Sequence, residues 1–348
     1  MNNMNNKSRI SIFGGTGYTG VELIRLLLKH PHVEIYQVTS RNDKGKRVAE
    51  VYPSFRGLLN NIFVSPEDAD LENVDIVFFA TPNGIAMNYA DNLISNGKIV
   101  IDLAADFRIK DKAVWEKWYG MKHKSPNLID KAVYGLPEIN RDSIRKTKLI
   151  ANPGCYPTAI QLALIPLLKK KLINPTNIIA DAKSGISGAG KNAELKLLMS
   201  EAEEDFRAYG IGGHRHLPEI EENLASICGE DVKLTFVPHL VPMVRGIHAT
   251  LYVECIKDFE AYDIFESFYV DEPFVDIMSA DTPPNTKSVR ASNFCRISFH
   301  KEKDSNRLII FSVIDNLMKG AAGQAVQNMN IIMDWEESTG INYVPITP

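Results

Sequence analysis

Cys155 is the residue of this sequence best placed for nucleophilic chemistry. It lies in "LIANPGCYPTAIQLALIPLL" (149–168), between a Pro-Gly bend and apolar residues at helical spacing. The pattern predicts an amphipathic helix that begins at or just after Cys155, with Pro157 in its first turn. A helix N-terminus lowers the pKa of a thiol and favours the reactive thiolate. A free cysteine is otherwise most often a small buried hydrophobic residue. Other residues of the chain must therefore decide between a catalytic and a packing role for Cys155.

The densest histidine cluster of the chain, "GIGGHRHLPEI" (210–220), is the candidate proton carrier. A thiolate nucleophile usually works with a general acid or base, and imidazole titrates near neutral pH. His214 and His216 flank an arginine, and Glu219 follows three residues after His216. Such a group favours a functional site over a structural histidine. In contrast, we expect surface positions for His30, His32 and His123.

A glycine motif near the N-terminus predicts a dinucleotide site. "GGTGYTG" follows an apparent strand (8–13) and opens a helix with apolar residues at helical spacing. In that context the glycines admit the pyrophosphate to the helix N-terminus, where N–H groups bind it. The alternative is a plain strand-to-helix turn. The expected cofactor residues of this loop are Gly14, Thr16, Gly17, Tyr18 and Gly20.

The end of the second apparent strand favours NADP over NAD. An NAD-type site usually carries a carboxylate there for the ribose hydroxyl, whereas this chain has Thr39, Ser40 and Arg41. Arg41 and Ser40 can bind a 2′-phosphate through charge-assisted hydrogen bonds. The alternative is that Arg41 is a solvated loop arginine.

Other polar residues are candidate ligands for the substrate's anionic groups. Arg108 ends "DLAADFR" at the carboxyl end of a strand, where ligands bind in open α/β sheets. Lys183 and Ser184 open the glycine-rich segment "KSGISGAGK", and Arg245 follows "PHLVPM". Each is otherwise a solvated charge or an ordinary turn residue.

Composition excludes several classes of protein. The 348 residues are 45% hydrophobic and 24% charged, with a formal net charge of −4. This is typical of a globular protein and gives no reason to expect nucleic-acid or membrane partners. The N-terminus lacks the apolar stretch of a secretory signal. The four cysteines are far apart, so we expect no metal site and no disulfide scaffold, and a cytoplasmic location.

Element order predicts an α/β fold of two domains. Strands and helices alternate over the first 150 residues, which favours a Rossmann-type parallel sheet. Longer, partly alternating strands after Cys155 predict an α+β catalytic and oligomerisation domain with a more antiparallel sheet. We therefore expect a disordered tail (1–7), a dinucleotide-binding domain (8–152), a catalytic domain (153–316) and a closing helix (317–348) that completes the first domain.

With these blocks, the chain resembles the N-acetyl-γ-glutamyl-phosphate reductase family, relatives of aspartate-semialdehyde dehydrogenase. The segment "IANPGCYPTAIQLALIP" (150–166) fits the active-site pattern of that family throughout. The resemblance runs from about residue 8 to the C-terminus, and the other matching blocks occur in the family's order: "GGTGYTG", "DLAADFR", "YGLPE", "SGISGAG", "GGHRHLPEI", "PMVRGI" and "KGAAGQAVQNMN".

The resemblance implies a reaction and a role for each block. It implies NADPH-dependent reduction of an acyl phosphate in arginine biosynthesis, with inorganic phosphate released and Cys155 as nucleophile. His216 would be the acid/base, oriented by Glu219, with His214 near the substrate and Arg108 on its anion. A homodimer or homotetramer is also implied. Cofactor contacts are expected at Pro82, Ser187, Gly188, Asn316 and Gly320.

Several alternatives remain open from the residues alone. The acyl phosphate could be N-succinylglutamyl, aminoadipyl or aspartyl phosphate, because the chemistry is shared. A short-chain reductase also begins with a GGTG-type loop, but no tyrosine here has a lysine four residues on. A Cys-His acyltransferase or hydrolase would leave the glycine loop without a role. A non-catalytic nucleotide sensor would leave Cys155 and the histidine cluster without one.

Overall fold

The computed structural model describes residues 7–191, 193–279 and 282–347. Apart from Lys7, the predicted N-terminal tail lies outside these residues. The chain forms two compact units, Met1–Pro153 with Ala322–Asn342 and Gly154–Ala321 with Tyr343–Pro348. The sequence predicts the corresponding boundaries at 152/153 and 316/317.

The first unit is built on a seven-stranded parallel sheet. Its order is β3-β2-β1-β4-β5-β7-β6, and each neighbouring pair is parallel. The order changes direction between β1 and β4, which creates the crevice where α/β sheets bind ligands. The predicted Rossmann-type sheet is confirmed. The strands are β1 (Ser8–Phe13), β2 (Val33–Thr39), β3 (Phe63–Val64), β4 (Ile76–Phe79), β5 (Ile99–Asp102), β6 (Val133–Tyr134) and β7 (Leu149–Ala151).

The second unit has a mixed seven-stranded sheet of order β12-β13-β14-β11-β8-β10-β9. Only β8 with β10 and β12 with β13 pair in parallel, while the other neighbours are antiparallel. The predicted α+β character of this half is therefore confirmed. The strands are β8 (Ile173–Gly185), β9 (Arg207–Ala208), β10 (Leu234–Val241), β11 (Ile247–Cys255), β12 (Val275–Ile277), β13 (Cys295–Lys301) and β14 (Arg307–Ile314).

The helices cover the sheets, and within the described ranges none is long and apolar enough to cross a membrane. The predicted closing helix is shorter than expected, because Asp334 adopts a left-handed φ of 54° that ends helical geometry. A π-helical turn, Met318–Ala322, precedes it. The α-helices are α1 (Tyr18–Leu27), α2 (Val48–Val51), α3 (Ala90–Ser95), α4 (Lys112–Tyr119), α5 (Pro137–Ile144), α6 (Cys155–Lys169), α7 (Met199–Ala202), α8 (His216–Cys228), α9 (Ala261–Tyr269) and α10 (Gly323–Ile332).

Helix α6 is buried around its whole circumference. Every residue from Tyr156 to Leu168 is buried, because the helix packs between strands β8, β11 and β14 and the helices α8 and α9. The predicted amphipathic helix is therefore wrong in this respect. The accessible residues of α6 lie at its two ends, and the partly exposed Cys155 is at its start.

His30 and His123 are buried, although the sequence predicts both at the surface. His30 follows α1, and its Nε2 lies 3.0 Å from the Asn330 side-chain oxygen. Its Nδ1 accepts the His32 backbone N–H. One ring nitrogen therefore donates and the other accepts, which is the pattern of a neutral imidazole. Burial lowers the pKa of His30.

We expect His30 to weaken the folded chain in acid. Its pKa is lowered from the ordinary 6.5, so the unfolded chain takes up the proton first as the pH falls. The free energy of unfolding then decreases from about pH 6.5 downward. His30→Gln keeps a donor toward Asn330 but does not titrate, so urea midpoints should fall less between about pH 7 and pH 5 than in the wild type. The exposed His32→Gln is the matched control, and an equal effect of that change would contradict the prediction.

Candidate active site

Cys155 is the first residue of α6, at the place that the sequence predicts. Gly154 is the N-cap residue, with an extended backbone (φ −68°, ψ 160°). The thiol is partly exposed, and the helix dipole acts on it from behind. A nucleophilic cysteine needs both accessibility and a stabilised thiolate. The N-terminus of α6 meets the second requirement, because it stabilises a thiolate at Cys155.

Glu219 ties the start of α6 to helix α8. Its side chain is fully buried, and its Oε1 accepts the Gly154 backbone N–H at 2.8 Å. The sequence predicts Glu219 as the partner that orients His216. That role stays a prediction, and the observed hydrogen bond joins α8 to the residue before Cys155, so it fixes the two helix N-termini against each other.

His216 and His214 lie beside the nucleophile's helix. His216 is the first residue of α8, and its ring centroid lies 6.0 Å from that of Tyr156, the residue after Cys155. His214 lies 4.8 Å from His216 by ring centroids. Burial, and then the charge of Arg215, lower the pKa of His214 to about 4. His214 is therefore neutral near pH 7.

Two tyrosines line the same cluster, and the sequence analysis missed both. The Tyr209 hydroxyl donates to that of Tyr156 at 3.2 Å, and Tyr156 donates to the His239 carbonyl at 3.1 Å. Burial raises the pKa of Tyr209 to about 12, and the charge of Cys155 acts in the same direction. The only signal in the sequence is the position of Tyr156 next to the cysteine.

Two loops at one end of the mixed sheet form a single hydrogen-bonded layer. The backbone N–H groups of residues 185–187 donate to carbonyls of residues 243–246. Asn316 joins both loops, because its side-chain oxygen accepts the Gly246 N–H at 2.7 Å and its amide donates to Ser187 Oγ at 2.9 Å. The sequence predicts cofactor contacts at Ser187, Gly188 and Asn316. The structure places Ser187 and Asn316 together, and the hydrogen bond between them helps to hold the loops.

Arg245 is held by a buried carboxylate that the sequence analysis missed. The guanidinium lies 3.4 Å from Asp315, whose side chain is fully buried. Asp315 also accepts backbone N–H groups from Ala291 and Met318. A carboxylate with this many partners is fixed, and it keeps Arg245 in one place. Arg245, with 24% side-chain exposure, remains a candidate anion ligand.

Gly320 lies directly against Cys155. A Cβ at position 320 would stand 2.8 Å from Cys155 Cβ, closer than side chains approach without displacement. The backbone N–H of Gly320 donates to the Asp315 carbonyl. The sequence predicts Gly320 near the nicotinamide, and the structure adds a packing reason for a glycine beside Cys155.

The structure does not bring Lys183 to this cluster. Ser184 is buried and its side chain hydrogen-bonds that of Tyr156 in α6, and successive residues of a strand point to opposite faces. Lys183 therefore points away from α6, where its ammonium pairs with Asp181 at 2.7 Å. His239 Nδ1 lies 3.0 Å from the same carboxylate. The substrate contact of Lys183 therefore stays a prediction, and in this structure its ammonium is paired with Asp181.

The glycine loop of the first unit has the close backbone packing that dinucleotide sites require. A Cβ at Gly14 would lie 2.3 Å from the Ala80 carbonyl oxygen, and one at Gly20 would lie 2.2 Å from that of Gly14. Gly14 also has a φ of +84°, which favours glycine. Gly17 is the N-cap of α1, which begins at Tyr18. These residues therefore fit a bound pyrophosphate at the N-terminus of α1.

Ser40 and Arg41 lie next to the glycine loop. The hydroxyls of Thr16 and Ser40 are 3.4 Å apart, so the end of β2 adjoins the loop. Arg41 is exposed and pairs with the exposed Glu67 at 3.4 Å. An exposed pair of this kind is weak. It leaves Arg41 able to turn toward a phosphate.

Arg108 and Pro82 lie at the carboxyl edge of the parallel sheet. Arg108 is buried, and its guanidinium donates to the carbonyls of Asn152 and Leu103, both at 2.7 Å. Pro82 is in the loop after β4, whose Gly84 N–H donates to Asp106 at 2.7 Å. Burial raises the pKa of Asp106. The loops at this edge are therefore fixed by buried polar groups.

Family comparisons agree with this division of the chain. Residues 9–147 match the family model described as "Semialdehyde dehydrogenase, NAD binding domain". Residues 155–316 match "Semialdehyde dehydrogenase, dimerisation domain". A glycine loop on a parallel sheet, followed by a cysteine at a helix N-terminus, thus defines a semialdehyde dehydrogenase. The predicted nicotinamide dinucleotide is confirmed at this level.

Similarity to curated proteins narrows the class. The chain is 57% identical to the N-acetyl-gamma-glutamyl-phosphate reductase of Laribacter hongkongensis, over 98% of this chain and 99% of that protein. It is 55% identical, with the same coverage, to the protein of that name from Nitrosospira multiformis. The chain belongs to the N-acetyl-γ-glutamyl-phosphate reductase family. The predicted reductase activity on an acyl phosphate is confirmed.

Solved structures support the fold. The aspartate semialdehyde dehydrogenase II of Vibrio cholerae, described as complexed with ASA, superposes with a TM-score of 0.74 at 18% identity, over 95% of this chain and 99% of that chain. A Candida albicans aspartate semialdehyde dehydrogenase with NADP gives 0.70 at 14% identity, over 94% and 99%. At these identities the likeness establishes the architecture alone.

We expect Gly320→Ala to lower kcat by about tenfold or more, because the new Cβ displaces Cys155 and small misplacements at a reacting group are costly. The matched control is Gly213→Ala, where the added Cβ has no described atom within 4 Å. Steady-state kinetics and the rate of Cys155 alkylation measure the effect. Equal activity of the two variants would show that the contact with Gly320 does not position the thiol.

Proposed function

We propose that this chain reduces N-acetyl-γ-glutamyl phosphate with NADPH, giving N-acetylglutamate 5-semialdehyde and phosphate through a thioester on Cys155. The observation that carries the proposal is the placement of Cys155 at the N-terminus of α6, with the first turn of α8 hydrogen-bonded to Gly154 at 2.8 Å. The names of the relatives support the choice of substrate.

The first step is attack of the Cys155 thiolate on the γ-carbonyl carbon. A carbon–sulfur bond forms, the acyl carbon–oxygen bond to phosphate breaks, and phosphate leaves with the electron pair. The helix N-terminus stabilises the thiolate before the attack. A covalent intermediate divides one difficult displacement into two easier steps.

The second step is reduction of the thioester. When bound, NADPH supplies the hydride that reduces the thioester carbon. His216, as imidazolium, gives its proton to the developing alkoxide of the thiohemiacetal. Collapse of the thiohemiacetal then returns the hydroxyl proton to the now neutral His216, breaks the carbon–sulfur bond, and releases the aldehyde and the Cys155 thiolate. We assign the proton to His216 rather than His214, because the pKa of His214 is lowered to about 4 and a neutral ring has no such proton to give.

The anionic groups of the substrate require fixed cations. Arg245 is held by the buried carboxylate of Asp315, and we propose that it binds one of these groups. We propose Arg108 for another, because it is anchored by two carbonyls at the carboxyl edge of the first unit's sheet. A fixed guanidinium binds a carboxylate or phosphate with little loss of side-chain entropy.

We propose a cytoplasmic homodimer, or a tetramer formed from such dimers. The match to a dimerisation domain over 155–316 supports self-association. The face of the mixed sheet that carries Asp181, Lys183 and His239 is partly exposed and rich in paired charges, which suits a polar protein contact. All four cysteines are thiols, as is usual in a reducing compartment.

The reverse assay tests the proposed function. N-acetylglutamate 5-semialdehyde, phosphate and NADP should give NADPH absorbance that depends on phosphate, and the succinyl, aminoadipyl and aspartyl analogues should be poorer substrates. Cys155→Ser should leave almost no turnover, because a serine hydroxyl is barely ionised. His216→Asn should lose about 10²–10⁴-fold in kcat. Near-wild-type activity of Cys155→Ser would disprove the thioester route.

We expect Arg41 to set the preference for NADPH. Arg41→Gln should raise the KM for NADPH by about tenfold while the KM for NADH changes little, because a charge-assisted hydrogen bond to the 2′-phosphate contributes about 1.5–3 kcal/mol. The neighbouring exposed Lys44→Gln is the matched control. A wild-type preference for NADH would contradict the cofactor assignment.

A further inference from the structure

The ring of His214 forms a cap on the helix that carries His216. Its Nδ1 accepts the His216 backbone N–H at 3.1 Å, and its carbonyl accepts the Leu217 N–H at 3.0 Å. The first N–H groups of a helix have no partner inside the helix, so they need external acceptors. Arg215 occupies the N-cap position of α8, and a guanidinium offers no acceptor. The imidazole of His214 therefore does what a serine or aspartate side chain does at other helix starts.

Aromatic rings confine His214 in this orientation. The ring centroids of Tyr156, Tyr209 and Phe236 lie 5.6, 5.5 and 5.3 Å from that of His214. The Tyr156 and Phe236 contacts are nearly perpendicular, at 89° and 82°, which is a favourable edge-to-face arrangement. A ring held from three directions keeps Nδ1 aimed at the same backbone N–H.

The acceptor role also fixes the protonation state of the ring. A nitrogen that accepts an N–H carries no proton, so the neutral His214 holds its proton on Nε2. Burial and Arg215 favour the same neutral state. His214 thus offers neither a positive charge for an anion nor an imidazolium proton for the alkoxide.

We infer that His214 is a positioning residue: its ring caps α8 and thereby places His216 for proton transfer to the Cys155 adduct. The catalytic part of this inference rests on the function proposed above, whereas the capping part does not. It replaces the substrate contact that the resemblance implies for His214.

Two amides distinguish the nitrogens of His214. The amide group of asparagine occupies the place of Nδ1, whereas that of glutamine reaches the place of Nε2. We expect His214→Asn to keep kcat within about threefold and His214→Gln to lower it by about 10–10²-fold, with the KM for the acyl phosphate unchanged in both. The pH profile of kcat should keep its shape, because the proposed proton donor, His216, is still present. His300→Asn, at an exposed strand position, controls for the substitution itself.

Hydrogen exchange gives a readout that needs no substrate. The amides of the first turn of α8 should exchange faster in His214→Gln than in His214→Asn or the wild type, as measured by mass spectrometry. This result would support the cap even if the assay identified a different acyl phosphate.

Three outcomes would overturn the inference. Loss of activity in His214→Asn as large as in His216→Asn would make His214 the proton carrier. A KM raised tenfold at constant kcat would make it a substrate ligand. Equal hydrogen-exchange rates and equal kcat in the asparagine and glutamine variants would show that the ring of His214 does not cap α8. If His214→Gln does not fold, the kinetics of His214→Asn alone still distinguish a proton carrier, a substrate ligand and the inferred positioning residue.

Discussion

The hydrogen bond from the Gly154 backbone to the buried Glu219 carboxylate is the constraint on which the reactive cluster depends. Cys155 and His216 are each the first residue of a helix, and they are 61 positions apart in the chain. One charge-assisted hydrogen bond of 2.8 Å connects these two starts. Because the helices are rigid, fixing their ends fixes the side chains that they carry. Glu219 is therefore placed to hold the backbone immediately before Cys155, in addition to any influence on the His216 imidazole.

The rest of the cluster is arranged in the same way. Buried polar side chains form hydrogen bonds with backbone groups of the loops, and the fixed loops determine where their own side chains lie. Asp315 and Asn316, adjacent at the end of β14, organise two loops and Arg245. Buried polar groups that are satisfied in this way are costly to rearrange. Cys155 and Arg245, the proposed nucleophile and anion ligand, are thus ordered before substrate arrives, which is how electrostatic preorganisation lowers a barrier.

The sequence predicted the elements with local signals and missed the contacts between distant segments. The glycine loop, the parallel strands and the helix start at Cys155 each have a short-range signature, and each lies where expected. Asp315 looks like any polar residue after a strand, because its partners Ala291 and Arg245 come from elsewhere in the chain. The side-chain direction of Lys183 depends on strand alternation along β8, which places it on the face opposite to Ser184 and beside Asp181. His30 and His123 were expected at the surface because a histidine's burial depends on packing that no local pattern encodes.

The first unit is discontinuous in sequence, since α10 returns to it after residues Gly154–Ala321 of the second unit have been made. Helix α10 is almost entirely buried, it packs on α1 and α5, and its Asn328 donates to the Gly135 carbonyl. During synthesis, then, the second unit can complete its core while the nucleotide-binding half still waits for its last helix. A chain that ends about thirty residues early, short of α10, would keep the named strands and helices of the second unit, whereas the first unit would lack the helix that packs on α1 and α5.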